Sequence, residues 1–221
     1  KAGEGNLIPV YKEVLADLET PVSAYLKIRG GDYSFLLESV EGGEKWARYC
    51  FLGCDPSKVI MLKGDTIKIS DNGNVEERRL GDRNPIEGIK ETLAQYHPVK
   101  TDGLPRFAGG AVGFFSYDMV RSFESLPDNT EDDLQVPDAL FVITDPLLVF
   151  DNVTQTIKIV SNAFVEDGDL EGLYKKTVDK INRLEEKLRS ELPESFRKGV
   201  ITGNRSGDAS SFESNFEEEK F

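Results

Sequence analysis

The chain has 221 residues, 38% hydrophobic and 10% aromatic, enough for one large or two small cores. A net charge of -13 argues against nucleic acid or an anionic membrane surface as partner, since both require basic patches. No apolar run approaches the roughly 20 residues that span a bilayer, no secretory leader is visible at Lys1-Ala2-Gly3, and two cysteines, Cys50 and Cys54, fit a reducing, cytoplasmic setting.

In chain order, residues 1–7 lack an initiator Met and are set aside as an appended or disordered start. Ile8 to Leu18 reads as a short amphipathic helix, with Pro9 in the first turn and Val10, Val14 and Leu18 on one face. Thr20-Pro21 stops it, Val22 to Ile28 follows as a strand, and Arg29-Gly30-Gly31-Asp32 turns the chain.

Phe35-Leu36-Leu37-Glu38-Ser39-Val40 is then predicted as a mostly buried strand. It is followed by a Glu41-Gly42-Gly43-Glu44 turn and a second strand over Lys45 to Gly53. Burying Glu38 without partners costs several kcal/mol. Its partner is therefore Arg48 across the turn, an ammonium group from a ligand, or a share of both. In a regular strand Leu37 and Ser39 face one side and Glu38 the other. Glu38 and Ser39 meet one small ligand only if the strand bulges or ends between them, or if one of them uses its backbone. An ordinary core hairpin with an internal Glu-Arg pair explains the same pattern.

Strands at 58–62, 66–70 and 75–80 form an antiparallel meander through an Asp71-Asn72-Gly73-Asn74 hairpin turn. Asn84-Pro85-Ile86-Glu87 opens a helix running to about residue 96, with Ile86, Ile89, Lys90 and Leu93 placed inward. His97, the one histidine, precedes Pro98 with no Cys or carboxylate cluster, and reads as a surface residue and not a metal ligand. Pro105 to Asp118 sets Gly109, Gly110 and Gly113 inside an aromatic, strand-like run. No Gly-Lys-Ser/Thr follows, so the glycines mark bulges or close backbone approach, not a phosphate loop. A short helix is predicted over 119–126, an acidic exposed loop over 127–135, and a pair of strands over 138–150 and 155–161. Asp169 to Leu192 is the longest helix, with Leu170, Leu173, Tyr174, Val178, Ile181, Leu184 and Leu188 on its apolar face. Residues 193–210 read as a linker. Ser214-Asn215-Phe216-Glu217 is a capping box that launches a helix of less than two turns, too short to hold alone. A second domain is expected to start there. The fold class expected is α+β: antiparallel strands in one or two packed, sandwich-like sheets, with helices near 9–18, 85–96 and 169–192 outside.

Several motifs in register carry a resemblance. Leu36-Leu37-Glu38-Ser39, then Trp46-Ala47-Arg48-Tyr49 and Phe51-Leu52-Gly53, resemble the amino-terminal domain of anthranilate synthase component I, a chorismate-utilising enzyme family. Residues 109–118 (Gly-Gly-Ala-Val-Gly-Phe-Phe-Ser-Tyr-Asp) and 145–151 (Asp-Pro-Leu-Leu-Val-Phe-Asp) resemble further signatures of that domain in the same order. The likeness runs from about Ile8 to Phe221.

It implies a domain over 8–192, then over 193–221 a linker and the start of a carboxy-terminal half that binds chorismate and Mg²⁺ and carries the lyase chemistry. The family makes anthranilate and pyruvate from chorismate and ammonia. A glutamine amidotransferase partner supplies the ammonia, and tryptophan inhibits. By the same resemblance Leu37, Glu38 and Ser39 help form the tryptophan site, with Arg48 beside them. Glu38, Ser39 and Arg48 supply polar contacts for a zwitterion, and Leu37 walls the slot for the indole. Alone, this segment is expected to be catalytically inactive, for it has no Ser-His-Asp, Cys-His or metal-ligand grouping. The rival readings are the paralogous amino-terminal domain of aminodeoxychorismate synthase component I, a free-standing amino-acid-binding module, and a purely structural domain.

Overall fold

The computed structural model describes residues 2–39, 48–81, 83–127, 131–166 and 168–197. A compact unit extends to Glu191 and contains two five-stranded sheets, antiparallel at every pairing.

The first sheet is built from β1 (Leu7–Leu15), β2 (Ser34–Leu37), β3 (Tyr49–Cys54), β9 (Leu147–Asp151) and β10 (Thr156–Phe164), in the order β1-β10-β9-β3-β2. The second takes β4 (Lys58–Lys63), β5 (Thr66–Asp71), β6 (Asn74–Arg79), β7 (Ala111–Phe115) and β8 (Ala139–Ile143), in the order β6-β5-β4-β8-β7. Among the described residues, this unit also holds the helices α1 (Pro21–Ile28), α2 (Pro85–Ala94) and α3 (Leu170–Arg189) and a 3₁₀ helix over Tyr117–Ser122; α4 (Glu194–Arg197) belongs to the second unit, from Leu192. The class is α+β, as expected.

One face of the first sheet, carrying Leu52, Leu148, Phe150, Ile157 and Ile159, packs against Ala24 and Ile28 of α1 and Ile181, Leu184 and Leu188 of α3. The opposite face carries Leu147, Val149 and Val160 under Tyr11, Phe35, Tyr49, Phe51 and Phe107. The second sheet packs Ile60, Leu62 and Ile67 against Ile89 of α2 and Met119. No helix of the described residues is long and apolar enough to cross a membrane.

The first thirty residues invert the sequence reading. Ile8 to Leu15 is strand, not helix, and residues 16–18 lie beyond it: β1 pairs with β10 along its whole length, from Leu7↔Phe164 to Leu15↔Thr156. Val10 and Val14 share a face in either conformation, so their spacing does not decide. Tyr11 and Leu18 do. Tyr11 packs on the opposite sheet face from Val10 and Val14, as a two-residue period demands, and Leu18, assigned to the buried stripe, is 96% exposed. Residues 22–28 are helical, not extended. Thr20-Pro21, read as a stop, is a start: Thr20 caps the N–H of Ser23, the Ser23 hydroxyl reciprocates, and Pro21 fills the first turn.

Asn6 and Leu7, set aside at the sequence level, join the fold by donating to His97 O at 3.0 and 3.1 Å. The single strand expected over 138–150 is two, β8 and β9, separated at Thr144-Asp145-Pro146, where the missing proline N–H breaks the ladder and the chain passes between sheets. The expected helix over 119–126 is the 3₁₀ helix two residues earlier. Along α3 the buried face is Thr177, Ile181, Leu184, Glu185 and Leu188, while Leu170 and Tyr174 are exposed. Gly113 marks a close approach: a Cβ there meets the Leu140 carbonyl oxygen at 1.8 Å. Beyond the compact unit, the Phe196 N–H donates to Pro193 O at 2.9 Å in α4. The Glu41-Gly42-Gly43-Glu44 turn, Trp46-Ala47 and the Ser214–Glu217 capping box lie outside the described residues.

Candidate functional site

β2 is an edge strand held on one side by β3, in the register Ser34↔Cys54 through Leu37↔Phe51. It ends at Leu37. Glu38 and Ser39 both lie beyond the strand, so its alternation does not put them on opposite faces. Leu37, Glu38 and Ser39 are all exposed, Leu37 by 45%. Glu38 is thus not the buried carboxylate expected, because the strand that was to bury it stops one residue short.

The Glu38-Arg48 pair is not formed either. Arg48 binds Asp151 instead, through Nε at 3.0 Å to Oδ1 and Nη2 at 2.7 Å to Oδ2. The register explains the choice, since Tyr49↔Asp151 are partners across β3 and β9 and put the carboxylate beside the residue preceding β3. The Asp151 side chain is 2% exposed and that of Arg48 41%. Burial alone would raise the Asp151 carboxyl, but the Arg48 guanidinium and the backbone N–H groups of Val153 and Thr154 hold it below its ordinary value. Arg48 also lies over the Tyr49 ring, 4.9 Å from its centroid. Its Nη1 is outside the carboxylate pair.

Asn152 fastens the same corner. Its backbone N–H donates to Arg48 O at 2.8 Å and its side-chain amide reaches the Cys50 sulfur at 3.6 Å. Burial pushes the Cys50 thiol up. The Asn152 amide and the Ser39 backbone oppose that rise, and the Glu38 charge adds to it. Neither Asp151 nor Asn152 was a sequence candidate. Asp151 closes the 145–151 motif without having been singled out, and Asn152 follows it in the connection between β9 and β10.

Beside these polar groups runs an aromatic strip. By the pleat, Leu37 shares the face of its partner Phe51. Phe51 lies 6.2 Å from the Tyr49 ring and 5.2 Å, edge-on, from Phe107. Phe35 lies across Gly53, where a Cβ would come within 2.3 Å of the ring. The structure therefore brings Leu37, Glu38 and Ser39 together at a strand end. It sets Arg48 at the start of the neighbouring strand, anchored from behind by a buried carboxylate. An apolar strip with flanking hydroxyl, carboxylate and guanidinium groups suits a small amphiphilic ligand.

The family model described as chorismate binding enzyme matches residues 34–218. The chain is 38% identical to anthranilate synthase component 1 of Acetivibrio thermocellus over 221 residues, which is 100% of this chain and 44% of that protein. To the protein of the same name from Aquifex aeolicus it is 36% identical over 98% of this chain and 42% of the relative. The chain thus spans less than half the length of these curated relatives. Among solved structures, it resembles the crystal structure of anthranilate synthase component I from Streptococcus pneumoniae TIGR4, with a TM-score of 0.52 and 26% identity over 82% of this chain and 37% of that one.

Proposed function

Because the chain belongs to the chorismate binding enzyme family, we propose that it is the amino-terminal, tryptophan-binding regulatory part of an anthranilate synthase component I. The whole enzyme would convert chorismate and ammonia to anthranilate and pyruvate in the cytoplasm, with ammonia delivered by a glutamine amidotransferase subunit. Chorismate, Mg²⁺ and the lyase chemistry are assigned to the remaining, carboxy-terminal part, and residues 193–221 to the passage into it. Among the described residues no three His, Cys, Asp or Glu side chains gather as a metal site. The part described here would be inactive by itself. Relatives named anthranilate synthase, matched along the whole chain, favour this reading over the aminodeoxychorismate one.

The observation that carries the proposal is the end of β2 at Leu37, which releases Glu38 and Ser39 beside the aromatic strip. Glu38 would accept the ammonium of L-tryptophan and the Ser39 hydroxyl would bond its polar end. Arg48, by its Nη1, which makes no hydrogen bond among the described residues, would meet the carboxylate, and Leu37 would border the indole. Asp151 keeps Arg48 in place at a cost already met in the unliganded fold. Tryptophan can inhibit only by binding one conformation better than another. In this reading it wedges between this part and the carboxy-terminal part, holding the chorismate site unproductive.

Anthranilate formation by the longer enzyme tests this. Ser39→Phe should leave the uninhibited rate near normal and remove inhibition by L-tryptophan. Inhibition that survives the substitution unchanged would refute the site.

A further inference from the structure

A second site lies at the other end of the same strands. Where the chain leaves β3 for β4, and where it leaves β8 for β9, α3 and the β5–β6 turn close a cleft of about 470 Å³. Its walls are apolar at Val59, Pro146 and Leu184. One face of α3 lines it with three cations one turn apart, Lys180, Arg183 and Lys187.

Two of the three are already neutralised. Lys180 pairs with Asp145 at 2.6 Å, and Asp145 also accepts from the Ser161 hydroxyl at 2.7 Å and the Asn162 N–H at 3.0 Å. Lys187 pairs with Asp55 at 3.1 Å. Arg183, between them, makes no ion pair or hydrogen bond among the described residues. Nor do the hydroxyls of Ser57 and Ser70, which also line the cleft. Three cations against two carboxylates leave a surplus of one positive charge in a chain of net charge -13.

We propose that this cleft binds a small organic monocarboxylate with an apolar body, its carboxylate on Arg183 and its body on Val59, Pro146 and Leu184. A planar guanidinium takes a carboxylate through two parallel bonds, and hydroxyl donors can complete its shell. A zwitterionic amino acid fits less well, because each carboxylate already pairs with a lysine whose charge opposes an ammonium group. A phosphate asks for more unpaired cations than one. The cleft is distinct from the Leu37–Ser39 corner: β3 runs from Tyr49 beside Arg48 to Cys54 in the cleft, roughly 17 Å by strand rise.

The test uses 4-fluorobenzoate, followed by fluorine NMR on the 221-residue chain, with 4-fluorobenzyl alcohol as the uncharged control. The acid should bind saturably and the alcohol should not. Arg183→Gln should weaken binding at least tenfold, Arg183→Lys should retain part of it, and Ser39→Phe should leave it unchanged. Arg183 is exposed, so both variants should melt like the parent. Absence of saturable binding, equal binding by Arg183→Gln, or equal binding of the alcohol would each overturn the proposal.

Discussion

Arg48 and Asp151 stand 103 residues apart in sequence and meet at 2.7 Å, the guanidinium half-exposed and the carboxylate sealed beneath it. The pair ties the first residue before β3 to the last residue of β9, and so fixes the corner at which the candidate site is built. Among the described residues, removing the cation leaves a buried carboxylate with only backbone N–H partners, a costly state.

In chemical denaturation, Arg48→Gln should therefore lower stability at pH 7 and cost less in an Asp151→Asn background. The coupling in that double-mutant cycle should exceed the roughly 0.5 kcal/mol scatter of additive sites. Strict additivity would show that the pair contributes no net energy.

The acid limb of stability should carry the same signature. Asp151 has a folded value held below its ordinary one, as do Glu13, bonded to Lys158, and Glu185, bonded to Lys12. A carboxylate depressed by folding contributes stability that is fully present above its unfolded pKa, about 3.9 for Asp and 4.3 for Glu. That contribution is lost as pH falls through the folded value. Unfolding free energy should thus be flat from pH 7 to about 5 and decline below about 4, and the decline should be shallower in Arg48→Gln. An identical decline in that variant would remove Asp151 from the explanation.

Gly113→Ala should destabilise strongly, by about 2–4 kcal/mol, since the added Cβ meets the Leu140 carbonyl oxygen and the Phe141 Cα, both backbone atoms. Gly64→Ala is the contrast. Its Cβ meets nothing, and its cost comes from a φ of +56° alone, about 1 kcal/mol. Thermal denaturation with matched calorimetry ranks the two, and the order should be Gly113 well above Gly64.

What could be read from the sequence divides along physical lines. The β4–β5–β6 meander was legible because Asn72-Gly73 supplies the two positive φ values of a tight hairpin. The long helix was legible because a twenty-residue run at 3.6 periodicity has no other explanation. The first thirty residues misled because Val10 and Val14 satisfy both periods, and because Thr20-Pro21 punctuates equally well as an end or a beginning. Leu37, Glu38 and Ser39 were found as a motif, and the structure does bring them to one corner. The partner of Arg48 was not found. Nothing local announces Asp151, and only the pairing of β3 with β9, a contact between distant segments, puts it there. The cleft beside Arg183 was invisible for the same reason.

The decisive experiment is titration of L-tryptophan into the 221-residue chain by calorimetry, with D-tryptophan and L-phenylalanine as controls. L-tryptophan should bind selectively, and Ser39→Phe should abolish that binding while Arg183→Gln leaves it intact. Binding of L-tryptophan that persists unchanged in Ser39→Phe, or that does not discriminate it from L-phenylalanine, would contradict the proposed site.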